Sequence, residues 1–157
     1  MAIVELHQVS LCVRDLARSL RFYRDVLGCS LVAELGYAGA ASSEALGLAA
    51  TEFRSALLER DGMRLELIAF ASGPAAQDDA PRADRPGLSH LTFLVDDLRA
   101  TLQSLRDQGV PAVEGTQVEH AAGTASCLVR DPDGQLLLLV QQPAGVAQPR
   151  PPRRPPI

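Results

Sequence analysis

One pattern is spelled twice in this chain of 157 residues, and it limits the fold more than any other feature. In the first copy, Gln8, Ser10 and Cys12 alternate with Val9, Leu11 and Val13, the two-residue period of a strand with one polar and one apolar face. Asp15 follows as a helix N-cap, Leu16, Leu20, Tyr23 and Leu27 form one helical stripe, and Gly28 supplies the left-handed stop. In the second copy a strand runs through Val95, Asp97 is the cap, Leu98, Leu102 and Leu105 are the stripe, and Gly109 is the stop. Each copy is a unit that cannot bury its own apolar faces without a sheet to pack on.

The strands that follow each helix complete the pattern. A strand over 3–13 is expected to open the first unit, with Cys29 to Leu35 as its second strand and Gly36 to Ala50 as a loop able to cover a pocket. Thr51 to Leu58 and Met63 to Phe70 form a hairpin about Asp61-Gly62, a dipeptide suited to positive φ. In the second unit Val110 to Val113, Thr116 to Glu119 and Ser126 to Arg130 are short strand candidates, and Gln135 to Val140 is an apolar strand after the turn Asp131-Pro132-Asp133-Gly134. The expected fold is α+β: two tandem β-α-β-β-β modules forming a cup-shaped, curved mixed sheet with the helices outside. The expected boundaries are 1–72 for the first module, 73–86 for a Pro/Gly/Asp-rich linker, 87–142 for the second module and 143–157 for a disordered Pro/Arg-rich tail.

Composition removes several functions. The formal charge of −4 and the lack of a basic helix leave nothing to attract a phosphate backbone, so nucleic acid is not an expected partner. No apolar run approaches the roughly 20 residues of a membrane helix, and the N-terminus lacks a signal-peptide pattern, which gives a cytoplasmic protein that does not bind membranes. Cys12, Cys29 and Cys127 lack metal-type spacing and are expected to be reduced, partly buried thiols. All 15 basic residues are Arg, which excludes Schiff-base chemistry and a lysine general base. The histidines are His7, His90 and His120.

Several stretches together resemble the vicinal oxygen chelate superfamily, which includes glyoxalase I, methylmalonyl-CoA epimerase, extradiol dioxygenases and bleomycin-resistance proteins. They are Gln8 to Leu16 with Arg21 to Gly28, Arg64-Leu65-Glu66-Leu67, Gly87-Leu88-Ser89-His90, and Arg130-Asp131-Pro132-Asp133-Gly134. The resemblance covers about residues 3 to 142 and specifies the superfamily rather than one reaction. It implies four positions, one on the first and one on the last strand of each module, that converge on a divalent metal such as Zn, Ni, Mn or Fe. Matched to the capping aspartates, these positions are Gln8, Glu66, His90 and Leu138, where relatives that bind metal have a carboxylate at the last. His7 is one place out of register and should point away from the cup.

The resemblance thus implies Glu66 and His90 as catalytic groups, with Gln8, Glu66 and His90 as an incomplete ligand set. Ser10, Cys12, Leu138 and His120 are the expected substrate-binding residues; Cys12 is a soft ligand or a small filler, and His120 is an alternative acid or base. Three functions follow. The first is a lyase or isomerase that abstracts a proton from a small oxygenated substrate. The second is a metal-independent protein that sequesters a small molecule or antibiotic. The third is an Fe(II) dioxygenase, which needs His7 in place of Gln8 to make two histidines and a carboxylate. The expected partners are a small-molecule ligand and a second copy in a homodimer, with or without exchanged modules.

Overall fold

The helix stripes and strand alternation find their partners in a computed structural model, which describes residues 3, 5–37, 44–49, 51–73, 82–120 and 123–143. It divides into two compact units, the first reaching Ala76 and the second starting at Gln77. The first holds β1 (Val9–Cys12), α1 (Leu16–Arg21), β2 (Ser30–Tyr37), β3 (Phe53–Arg60) and β4 (Met63–Phe70). The second holds β5 (Leu91–Val95), α2 (Leu98–Asp107), β6 (Val118–Glu119), β7 (Ala125–Arg130) and β8 (Leu136–Gln141). Each unit is a four-stranded mixed sheet, ordered β1-β4-β3-β2 and β5-β8-β7-β6. In each, the first strand pairs in parallel with the last and the remaining neighbours are antiparallel. This is the α+β fold read from the repeat.

One side of each sheet is closed by its helix. In the first unit Leu11, Val13, Ala56, Leu58 and Leu67 are buried with Leu16 and Leu20 of α1, which packs on β3 and β4, and with Tyr23 and Leu27 that continue its stripe. In the second, Cys127, Val129, Leu137 and Leu139 are buried with Leu98, Leu102 and Leu105 of α2, which packs on β7 and β8. Both caps form as expected: Asp15 Oδ1 accepts from the Arg18 amide and Asp97 Oδ1 from the Ala100 amide, each at 2.9 Å. Gly28 and Gly109 stop the helices at φ +69° and +80°. The hairpin turns on Asp61 and Gly62 at φ 52° and 83°, the two positive angles of a type I′ turn.

Four expectations about the elements need correction. The strand expected over 3–13 spans only Val9–Cys12; Ile3 and Leu6 are 97% and 75% exposed, so the residues before Gln8 lack the cover that would reward pairing. The first helix does not stay α-helical along the whole stripe from Leu16 to Leu27 but widens into a π turn over Phe22–Val26, where the Leu27 amide reaches Phe22 O at 3.1 Å and both consecutive aromatics, Phe22 and Tyr23, are buried. Gly36 and Tyr37 belong to β2 rather than to a loop, because Tyr37 stacks on Phe53 and Phe53 packs on Phe70, at 4.8 and 5.4 Å between centroids. Of the loop expected over 36–50, residues 38–43 and 50 lie outside the described residues. The candidates at 110–113 and 116–119 shrink to a bridge, Ala112 with Val129, and to the two-residue β6. Pro111 lacks an amide donor there, and the Thr116 hydroxyl closes a turn onto Val113 O at 2.8 Å. Most of the linker 73–86 and nearly all of the tail 143–157 also lie outside the described residues. Among those described, no helix is long and apolar enough to cross a membrane.

Candidate functional site

Strand alternation decides which side chains of the first unit share the sheet face turned from α1. Val9 pairs with Leu65 and Leu11 with Leu67 on the helix side, so Ser10, opposite Glu66, and Cys12, opposite Ile68, stand on the other side. Gln8, immediately before β1, continues that parity. The result is a hydrogen-bonded cluster around one carboxylate: Gln8 Nε2 donates to Glu66 Oε2 at 2.6 Å and Ser10 Oγ donates to the same oxygen at 2.7 Å. A carboxylate only accepts, so the Gln8 amide must turn its NH₂ to Glu66 and leave its own Oε1 uncommitted. Bonds to a charged acceptor are the strong ones, and two of them hold the half-buried carboxylate in one orientation with Oε1 available.

The second unit repeats the register with different chemistry. Thr92 stands opposite Leu138 as Ser10 stands opposite Glu66, and His90 immediately precedes β5 as Gln8 precedes β1. The equivalence of Gln8 with His90 and of Glu66 with Leu138 is therefore geometric as well as sequential. His90 Nδ1 lies 2.9 Å from Ser89 Oγ, and that hydroxyl donates its own hydrogen to Ala83 O at 3.0 Å. The hydroxyl can then only accept from the ring, so neutral His90 carries its proton on Nδ1 and its lone pair on Nε2. That tautomer presents Nε2 as a base or a ligand.

The other expected residues fall in different places. His7 has Nδ1 3.0 Å from Glu5 Oε1 and Nε2 3.3 Å from Arg64 Nη1. His120, at the end of β6, has Nε2 3.0 Å from Ser126 Oγ. Cys29 and Cys127 are buried, and burial pushes the Cys29 thiol pKa up. Cys12 is exposed, which corrects the expectation of a partly buried thiol there: it lies on the face that α1 does not cover.

Two residues of the first sheet were missed by the sequence reading. Arg64 and Ser55 share the face of Glu66, because Arg64 is two residues before it and Ser55 pairs with Ile68. Both are buried, at 8% and 1% exposure, and Arg64 Nε and Ser55 Oγ have no hydrogen-bond partner among the described residues. The signal was present in Arg64-Leu65-Glu66, since matching parity puts both charges on one face.

Each unit by itself offers few donors to a divalent ion: Gln8 Oε1 and Glu66 Oε1 in the first, and His90 Nε2 in the second, where Leu138 has no donor atom. Among the described residues no group of three or more His, Cys, Asp or Glu gathers as a metal site.

Comparison with known proteins gives a consistent result. Residues 5–139 match the family model described as Glyoxalase/Bleomycin resistance protein/Dioxygenase superfamily. The uncharacterized protein YaeR of Escherichia coli K12 is 28% identical over 142 residues, covering 90% of this chain and 99% of the relative. A probable lactoylglutathione lyase of Synechocystis is 28% identical over 130 residues, covering 82% and 88%. A glyoxalase family protein from Bacillus cereus superposes with a TM-score of 0.79 at 22% identity, covering 92% and 97%, a likeness of fold.

Proposed function

The chain belongs to the glyoxalase/bleomycin resistance protein/dioxygenase superfamily, and from that premise we propose that it is a lyase or isomerase in which Glu66 abstracts a proton from a small oxygenated substrate. The observation that carries this reading is the bonding of Gln8 and Ser10 to one oxygen of Glu66, which leaves the other oxygen to act as base. A C–H bond next to a carbonyl breaks, its proton passes to Glu66 Oε1, and the electron pair moves into the carbonyl as an enolate or enediolate. In a substrate with a hydroxyl on the carbon that lost the proton, that hydroxyl's hydrogen passes to the former carbonyl oxygen and Glu66 returns its proton to the neighbouring carbon, which completes an isomerisation with no external oxidant. Gln8 and Ser10 keep the base from rotating between turnovers. The relative described as a probable lactoylglutathione lyase supports the hemithioacetal of methylglyoxal and glutathione as the first substrate to try.

Its conversion to the thioester, followed by ultraviolet absorbance, should fall at least about 100-fold in Glu66→Gln, the scale of one general base. Equal rates in the two proteins would overturn Glu66 as the base. A second reading, sequestration without chemistry, draws on the second unit, where Leu128, Leu138 and Val140 line the face turned from α2 and Leu94 is 54% exposed. Under that reading an apolar ligand raises Tm equally in the parent and in Glu66→Gln.

A further inference from the structure

We propose that Arg64 is the substrate-recognition residue of the first unit and that the substrate is a small carboxylic acid, its carboxylate held by the Arg64 guanidinium while its acidic C–H faces Glu66. This deepens the proton-abstraction reading, rests on it for the identity of the base, and puts a small acid in place of the hemithioacetal, whose carboxylates lie many bonds from the reacting C–H. Arg64 and Glu66 lie on one strand two residues apart, so their Cα atoms are separated by a single pleat repeat of roughly 7 Å on the same face. A carboxylate and a C–H carbon about two or three bonds apart span that repeat once each end stands at contact distance from its side chain.

The state of the guanidinium identifies the chemistry it would recognise. Arg64 is 7% exposed at its side chain, and its Nη1 is turned to His7 Nε2 at 3.3 Å. Nε has no hydrogen bond among the described residues. Glu59, its neighbour across the ladder, keeps Oε2 3.9 Å from Nε, an ion pair too long for a hydrogen bond, and is itself 36% exposed. A buried N–H left unbonded is costly, and costlier still on a charged group. With Nη1 engaged, the Nε/Nη2 edge remains, which is the edge a carboxylate meets with two parallel bonds. Ser55 Oγ, also buried and without a hydrogen-bond partner among the described residues, adds a polar atom on the same face. The position equivalent to Arg64 in the second unit is Leu136, since Arg64 precedes Glu66 as Leu136 precedes Leu138, so this feature belongs to one unit only.

Pyruvate and methyl pyruvate test the assignment, because the pair differs in the anionic group and both can lose a C3 proton. Calorimetric titration of the full chain should show pyruvate binding at least tenfold more tightly than the ester. The preference should vanish in Arg64→Met, shrink in Arg64→Lys, which keeps charge but loses the fork, and persist in Glu66→Gln. Equal binding of acid and ester, no measurable binding of pyruvate, or a full preference in Arg64→Lys would overturn the proposal; the lysine variant decides where the methionine variant fails to fold. Exchange of the C3 protons in D₂O, followed by NMR, reads Glu66 separately. Lost exchange with the preference intact is the result expected of Glu66→Gln, and absence of exchange in the parent with the preference intact would strike the proton-abstraction reading while leaving Arg64 in place.

Discussion

The two sheets share strand order and register, and they differ almost entirely on the faces turned from their helices. In the first unit that face carries Gln8, Ser10, Arg64 and Glu66; at equivalent places the second carries His90, Thr92, Leu136 and Leu138. On the helix side the apolar character is kept: Leu67 and Leu139 occupy the same place, as do Leu65 and Leu137. The difference teaches where a duplicated module is free to change. A strand residue under a helix is held by packing, and any loss of volume there costs stability. Its neighbour on the other face is held only by what the site must do, so one copy can keep a carboxylate while the other replaces it with leucine.

The largest expected effect tests the half of the comparison that says the units are alike. Leu67 and Leu139 are 0% and 2% exposed, and Leu→Ala at either should cost about 2–5 kcal/mol in urea unfolding, the range for a buried leucine whose site cannot collapse. A cost well below this at Leu139, with the full cost at Leu67, would mean that the second unit is not organised around an equivalent core.

A smaller effect probes the half that says they differ. Leu138→Glu restores a carboxylate two residues along from His90 in register, reproducing within the second unit the spacing of Gln8 and Glu66. His90 is already in the tautomer that leaves Nε2 free, so Zn²⁺ affinity measured by calorimetry should rise about tenfold, the scale of one added ligand. An unchanged affinity would show that His90 and position 138 do not face one ligand, whatever their register.

How much of this was legible in the sequence follows the same division. Both caps, both helix stripes and the Asp61-Gly62 turn were readable because each rests on local chemistry within one turn of chain. The parity of Ser10 with Glu66, and of Thr92 with Leu138, was readable because a strand alternates strictly. The length of β1 was not: Ile3 and Leu6 have the right residue types, but only pairing and cover make a strand, and neither is local. The π turn at Phe22–Val26 was hidden because its residues read equally well as α-helix. At the site, the bonding of Gln8 to Glu66 brings residues 58 apart into contact, and the unbonded state of Arg64 Nε depends on His7 and Glu59, so neither could be read from any one segment.

The smallest effect concerns the helices, where the second copy gains an acceptor from a strand. Asp15 caps α1 through the Arg18 amide, and Asp97 caps α2 through the Ala100 amide. At α2 the strand β8 contributes as well, since Gln141 Oε1 accepts from the Leu98 amide at 2.7 Å. The first turn of a helix has four amides without helical partners, so a second acceptor there leaves less to lose when the first is removed. Asp→Ala at either cap should cost about 0.5–2 kcal/mol in urea unfolding, with Asp15→Ala toward the upper end and Asp97→Ala toward the lower. Adding Gln141→Ala to Asp97→Ala should bring the second helix to the sensitivity of the first. Equal costs for the two single variants, unaltered by the change at Gln141, would show that β8 lends no support to the start of α2 and that the two helix entries are energetically the same.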